Sequence, residues 1–166
     1  MTEEQQAMMN GRFEQAFLDL YTKVKMSFYQ EMFARIGERE TSLTTTEMFC
    51  VEIIYDLGNP TISEFAQFLQ ISAPSAAYKV NSLIKKGYVT KVQSETDHRE
   101  YHLQVTDRFI DYYKLCTDYV DVVGERMREK FTPEELETCE RILIQITTEL
   151  TPEIDIPLRS RGELPC

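Results

Sequence analysis

Between Ser72 and Arg99 the chain places hydroxyls, amines and a guanidinium at spacings suited to nucleic acid. On a helix over about 73–86, Ser75, Tyr78, Ser82 and Lys85 fall on one side. Ala76, Ala77, Val80, Leu83 and Ile84 fall on the other. Ser72 is placed to cap that helix, and Pro74 is tolerated in its first turn. Small polar residues let a helix lie deep in a groove, and hydroxyls donate to or accept from base edges and phosphates. Lys79 and Lys85 suit phosphate as flexible point charges. An ordinary solvated helix face is the competing reading.

A hairpin follows, and its tip carries Asp97, His98 and Arg99. An arginine there suits the minor groove or a pair of phosphate oxygens. Asp97 is expected to hold that guanidinium by an ion pair within the loop. Such a pair on an open surface is worth only ~0–1 kcal/mol, which is the bland alternative. His98 is either a phosphate contact or a turn residue. Lys86, at the helix end, and Lys91, on the first strand, are each either a backbone contact or a solvated lysine.

The surrounding pattern predicts the elements that must hold these groups. Phe13, Phe17, Leu20, Tyr21, Val24, Phe28 and Met32 recur at helical steps, predicting a long helix over 12–36 with Gly37 as its stop. Thr44-x-x-Glu47 and Thr61-x-x-Glu64 are capping boxes opening helices over 45–57 and 62–69. Met48, Val51, Ile54 and Tyr55 point inward from the first, and Ile62, Phe65, Ala66 and Leu69 from the second. Gly58-Asn59-Pro60 ends the first, and Gln70-Ile71-Ser72 is the turn after the second. Val89 to Val92 is a strand, and Tyr101, Leu103 and Val105 alternate as its partner. A helix over 107–130 follows, with Phe109, Tyr113, Cys116, Val120, Val123 and Met127 on one face. Thr132-Pro133-Glu134-Glu135 starts a last helix over 133–150 that is expected to bury Leu136, Ile142, Leu143, Ile146 and Leu150. The tail from Thr151 contains three prolines and should be irregular.

The order is mainly α with a small β-hairpin wing: a winged helix-turn-helix over 44–106, with N- and C-terminal dimerisation helices at 12–36 and 107–150. One domain over 1–166 suits the length. A terminal helix this long and this aromatic needs a partner for its face, and a second subunit is the expected one.

Net charge is −10, which is unusual for a nucleic-acid binder until it is divided. Residues 1–71 carry 5 basic and 11 acidic side chains, residues 100–166 carry 8 and 15, and residues 72–99 carry 5 and 2. The net-positive segment is therefore the one nominated for DNA contact. Screening confines charges to roughly 8 Å at ~0.15 M salt, so local charge counts more than the total.

Other classes find little support. The polar N-terminus lacks the basic and apolar regions of a signal peptide, and no apolar run is long enough for a membrane span, so a cytoplasmic location without membrane contact is expected. Cys50, Cys116, Cys139 and Cys166 form no C-x-x-C pair, and read as small apolar residues with one exposed terminal thiol. His98 and His102 lack a ligand set for a metal. No nucleophile, phosphate-loop or dinucleotide motif is present, so neither enzyme activity nor a cofactor is expected. Most flanking aromatics read as core or dimer interface. Phe17, Tyr21, Phe28 and Tyr113 are candidates for lining an effector pocket between the dimer base and the DNA-reading lobe.

Three stretches carry a family resemblance. Leu83-Ile84-x-Lys86-Gly87-Tyr88-Val89 resembles the helix end of the multiple-antibiotic-resistance regulator (MarR) family of bacterial transcription factors. Asp97-His98-Arg99 followed by Leu103 and Thr106 resembles its wing, and Thr-Pro-Glu-Glu-Leu from Thr132 resembles the start of its last helix. The resemblance spans about residues 12–150. It implies a homodimer on double-stranded DNA that reads a pseudo-palindrome, with Ser72 to Ser82 as recognition helix and Asp97 and Arg99 in the wing. It also implies repression, relieved in many members by small aromatic ligands. Oxidant sensing through an N-terminal-helix cysteine does not fit, because the first cysteine is Cys50. Zinc sensing does not fit two wing-region histidines. Lys79 stands where an arginine is frequent, and His98 where a basic residue is common. A winged-helix protein-interaction module without DNA contact is the alternative function.

Overall fold

The computed structural model describes residues 3–37, 43–154 and 156–157. Six helices and one hairpin run in the order α1 (Glu3–Gly37), α2 (Thr45–Asp56), α3 (Ile62–Phe68), α4 (Ala73–Lys85), β1 (Val89–Gln93), β2 (Tyr101–Val105), α5 (Asp107–Lys130) and α6 (Pro133–Glu149).

The helix boundaries follow local chemistry. The Thr44 and Thr61 hydroxyls accept from the Glu47 and Glu64 amides, and each glutamate accepts back from its threonine N–H. Thr132 and Glu135 repeat the arrangement at α6. Each reciprocal pair satisfies two donors that a helix start otherwise leaves open. α4 ends at Gly87 (φ 79°), where the Tyr88 amide donates to the Leu83 carbonyl and the Gly87 amide to that of Ile84. This double closure requires a left-handed residue, which glycine supplies without steric cost. Gln70 takes the same conformation (φ 54°) after α3, with the Ile71 amide on the Ala66 carbonyl. That turn joins α3 to α4, and the two helices pack on each other.

The core lies in the middle of the chain. Met48, Val51, Ile54 and Tyr55 of α2, Phe65 and Ala66 of α3, and Ala76, Val80 and Leu83 of α4 are buried. Leu43 ahead of α2, Cys50 within it, Tyr88, Val89 and Leu103 of the hairpin, and Phe109 and Ile110 of α5 complete it. Ile62, Leu69 and Ile84 pack against this cluster half-buried. The strands pair antiparallel, with Lys91 opposite Leu103 and Val89 opposite Val105.

Two expectations change. α1 begins at Glu3, nine residues before the expected start. Residues 3–9 are Glu, Gln, Ala and Met, which favour helices, followed by Asn10 and Gly11, and no apolar period marks the added turns. In α6 no residue is buried: Ile142, Leu143 and Leu150 are exposed, and Leu136 and Ile146 are half-buried. Within one chain the expected burial of this face does not occur. α1 packs on α5, yet Phe13, Phe17, Leu20 and Tyr21 remain exposed. The side chains of Met32, Tyr112 and Cys116, and the tail beyond Pro157 with Cys166, lie outside the described residues.

The described part of the tail is irregular and returns to the helix-turn-helix. Gly58 (φ 69°) lies against Pro157, so a Cβ there would fall 2.7 Å from the proline ring. Among the described residues no helix is long and apolar enough to cross a membrane.

Candidate nucleic-acid interface

α4 presents its polar side as the sequence predicts, with one exception. Ser72 caps the helix through its hydroxyl, which accepts from the Ser75 amide at 3.4 Å, and Pro74 sits in the first turn. Tyr78 projects outward, 79% exposed. Lys85 is exposed, and Ser75 and Lys79 are half-buried. Ser82 does not join the open face. Its hydroxyl donates to Glu47 Oε1 at 2.6 Å, across to the start of α2. Lys86 is drawn the same way, with Nζ 2.7 Å from Glu47 Oε2.

Burial raises the Glu47 carboxyl, but hydrogen bonds from Lys86, Ser82 and Thr44 outweigh it and hold the group at about 2. The sequence marks Glu47 as a capping residue only. Its contact with α4 spans 35 and 39 residues and has no local signal.

The wing tip is an ordered loop. Ser94 Oγ accepts from the Thr96 and Asp97 amides. The Glu100 amide donates to the Asp97 carbonyl, the Ser94 amide donates to the Glu100 carbonyl, and Gln93 Nε2 donates to the His98 carbonyl at 2.6 Å. Asp97 does not pair with the Arg99 guanidinium. Its Oδ1 accepts from the Arg99 backbone N–H at 2.9 Å, the turn geometry an aspartate favours two residues ahead of a donor. The carboxylate thus shapes the loop and leaves the guanidinium pointing to solvent. His98, Arg99 and Lys91 are exposed.

The hairpin is anchored at both ends. At its base the Thr106 amide donates to the Tyr88 carbonyl and the Thr106 hydroxyl to the Gly87 carbonyl. Arg108, which the sequence reading passed over, donates to the Lys86 carbonyl at 3.1 Å and lies 4.5 Å from the Tyr88 ring centre. It satisfies a carbonyl at the end of α4 and stacks on an aromatic face. His102 Nδ1 is 2.9 Å from the Asn59 carbonyl, so one wing histidine is committed to the scaffold.

The four candidate effector residues divide. Phe28 and Tyr113 pack against the core, where Tyr113 stacks on Tyr55 (4.7 Å) and Phe109 (5.6 Å). Phe17 and Tyr21 stand exposed on α1, with Lys25 Nζ 4.8 Å from the Tyr21 ring. A cleft of about 590 Å³ lies elsewhere, between the turn after α2, α3, His102 and Pro157. Burial pushes the Cys50 thiol up, the opposite of what a reactive thiolate needs. Among the described residues no group of three or more His, Cys, Asp or Glu side chains is disposed to hold a metal.

A short helix, a turn, a second helix with an open polar face, and a hairpin stitched to both define a winged helix-turn-helix. Residues 43–101 match the model of the MarR family, and over this lobe the resemblance read from the sequence holds. The uncharacterized HTH-type transcriptional regulator YpoP of Bacillus subtilis (strain 168) is 25% identical over 68 residues, 41% of this chain and 48% of that protein. The match thus spans about half of the relative's length. A MarR family protein from Bacillus stearothermophilus superposes with a TM-score of 0.60 at 14% identity, covering 91% of this chain and 99% of that one. Streptococcus pneumoniae FabT in complex with DNA gives 0.58 at 21% identity, covering 87% and 99%. The multiple antibiotic-resistance repressor from Listeria monocytogenes 4b F2365 gives 0.55 at 20%, covering 87% and 98%. At these identities the likeness concerns the fold, and it extends over nearly the whole chain.

Proposed function

We propose that this chain is a sequence-specific DNA-binding transcriptional regulator: a homodimer that represses from a pseudo-palindromic operator and is released by a small aromatic or lipophilic effector. One observation carries the reading. The open face of α4, with Tyr78 fully projected, and the ordered wing tip with Arg99 both belong to the net-positive segment of an acidic chain. Ser72, Pro74, Ser75, Tyr78, Lys79 and Lys85 would lie in or beside the major groove. Lys91, Asp97, His98 and Arg99 would hold the flank, Asp97 through loop shape. Ser82 would act from behind, through Glu47. The fold is shared with FabT, which was solved in complex with DNA, and YpoP is described as a transcriptional regulator.

The dimer is supported by the apolar residues that α1, α5 and α6 leave exposed, among them Phe13, Leu18, Val120, Leu143 and Ile144. An apolar surface of this extent on flanking helices marks an association site. Two copies would set the recognition helices about one helical turn, ~10 bp, apart. An effector acts only if it binds the DNA-incompetent spacing more tightly than the competent one. Phe17, Tyr21, Phe28 and Tyr113 lie on the helices that would set that spacing.

The test is selection of random duplexes by the purified protein at ~0.15 M salt. A two-fold-symmetric motif with half-sites one turn apart is expected. A folded dimer that enriches no sequence refutes the reading and favours the protein-interaction module, which the overall negative charge would suit. For the effector, aromatic acids and lipophilic amphiphiles are screened for thermal shift and for DNA release; neither effect in any compound refutes that element.

A further inference from the structure

The carboxylate of Glu47 joins two helices at four points. Oε2 accepts from the Thr44 amide (2.8 Å), the Thr44 hydroxyl (2.9 Å) and Lys86 Nζ (2.7 Å), and Oε1 accepts from the Ser82 hydroxyl (2.6 Å). Ser82 and Lys86 are one turn apart at the C-terminal end of α4, so one carboxylate grips the last turn of the recognition helix and ties it to the first turn of α2. The cluster is partly sheltered, with the Glu47 side chain 15% and that of Lys86 29% exposed.

We infer that Glu47 is a positioning residue that determines DNA specificity, by fixing the angle of α4 and by withholding Lys86 from the phosphate backbone. The inference rests on the DNA-reading function proposed above. Its two parts act in one direction. Base contacts are directional hydrogen bonds and lose strength when the helix carrying them rocks. Phosphate contacts carry no sequence information, and each adds equally to wanted and unwanted sites. The carboxylate draws Lys86 toward α2, and loosening that hold would favour such a contact from the end of α4, in the net-positive stretch of the chain. Glu47 therefore improves discrimination twice, by sharpening specific contacts and by removing a non-specific one. A purely structural ion pair would predict something different: affinity for all duplexes changing in proportion, with the ratio of specific to non-specific binding unchanged.

The full-length protein is compared with Glu47→Gln, Lys86→Met and the double variant. Gln is accepted in a capping box, so Glu47→Gln spares the start of α2. Binding is measured over a salt series to the duplex enriched by selection and to a scrambled duplex. Glu47→Gln is expected to bind the scrambled duplex several-fold more tightly, with a salt slope steeper by about one, and to lower the ratio of specific to non-specific affinity about tenfold. Adding Lys86→Met should abolish the non-specific gain and its extra slope. Lys86→Met alone should leave scrambled-duplex affinity and slope at wild-type values, and this holds as a test even if Glu47→Gln folds poorly. An unchanged ratio in Glu47→Gln, a parallel fall in both affinities, or a loss of non-specific binding and slope in Lys86→Met overturns the inference while leaving the regulator reading standing. A wild-type chain that binds no duplex overturns both.

Discussion

The Leu103 amide donates to the Pro60 carbonyl over 2.7 Å, which stitches the second strand of the wing to the turn that launches α3. The neighbouring Thr61–His102 bridge extends the contact, and the buried Leu103 side chain continues it into the core. Wing and helix-turn-helix are therefore one unit. Whatever moves α3 carries the wing with it, and under the proposed function contacts from α4 and from Arg99 would reach a duplex in fixed relation.

Arg99 should act through charge. Arg99→Ala is expected to weaken binding to specific and scrambled duplexes alike and to reduce the salt slope by about one. Unchanged affinity and slope in a fluorescence titration over several salt concentrations would remove the wing tip from the interface. Asp97→Ala should mimic part of the loss without altering the slope, because it unties the loop and leaves the charge in place.

Tyr78 should act through sequence. It is the one aromatic of α4 and stands 79% exposed, and its side chain has no structural task that would explain its position. Tyr78→Ala is expected to leave the melting temperature within a degree or two, as surface changes do, and to alter the motif enriched by selection. An identical motif at identical enrichment would count against base contact by this residue.

Two glutamates of α2 should give opposite pH dependences. Burial, and then the charge of Asp56 one turn away, push Glu52 up to about 7 from an ordinary 4.5. Between those values the folded chain keeps a proton that the unfolded chain has lost. The stabilisation is complete below pH 4.5 and disappears as pH rises through about 7. Glu52→Gln should therefore stabilise the protein at pH 8, on the order of 1–3 kcal/mol, and have little effect at pH 4.5. Glu47, held at about 2, contributes stability that is present above pH 4.5 and lost as pH falls toward 2. Glu47→Gln should cost on the order of 2 kcal/mol at pH 7 and almost nothing at pH 2. Denaturant titrations at each pH separate the two. Equal effects at both ends would contradict these assignments.

The apolar side of α6 should behave as an interface. Leu143 and Ile144 are 46% and 54% exposed, so a charge at either position meets no core within one chain. Leu143→Asp is expected to leave helix content intact while shifting sedimentation from dimer to monomer, and to abolish high-affinity DNA binding with it. A variant that stays dimeric places the interface elsewhere.

The legible parts of this fold are those whose cause is local. Thr44-x-x-Glu47, Thr61-x-x-Glu64 and Thr132-x-x-Glu135 each complete their own hydrogen bonds within one turn, and the helix starts they predict are the ones observed. Gly87 and the alternation of Tyr101, Leu103 and Val105 work in the same way. Two kinds of information were missing. Periodicity shows that Leu143 sits on an apolar face, but not what covers it, so burial within the chain was expected where none occurs. Partner choice across elements was also hidden. Ser82 has the spacing of the open face, yet Glu47, 35 residues away, takes its hydroxyl, and Asp97 bonds a backbone amide instead of the guanidinium two residues on. Among candidate contacts, Tyr78, Lys85 and Arg99 stand exposed where the pattern put them.

The closed wing tip has a thermodynamic consequence. Backbone ordering costs roughly 1–2 kcal/mol per residue, and a slack loop would incur that cost when it meets its target. In residues 94–100 the Ser94 hydroxyl, the Asp97 carboxylate and the Gln93 amide already hold the main chain. The ordering is completed during folding, so under the proposed function only the rotamers of Arg99 and His98 would remain to be restricted on contact. Such a loop would engage a duplex with a smaller entropy loss, and hardening it further would bring little gain. Replacing Ser94 or Asp97 would return that cost to the binding step, where it would appear as a more unfavourable entropy at nearly unchanged enthalpy.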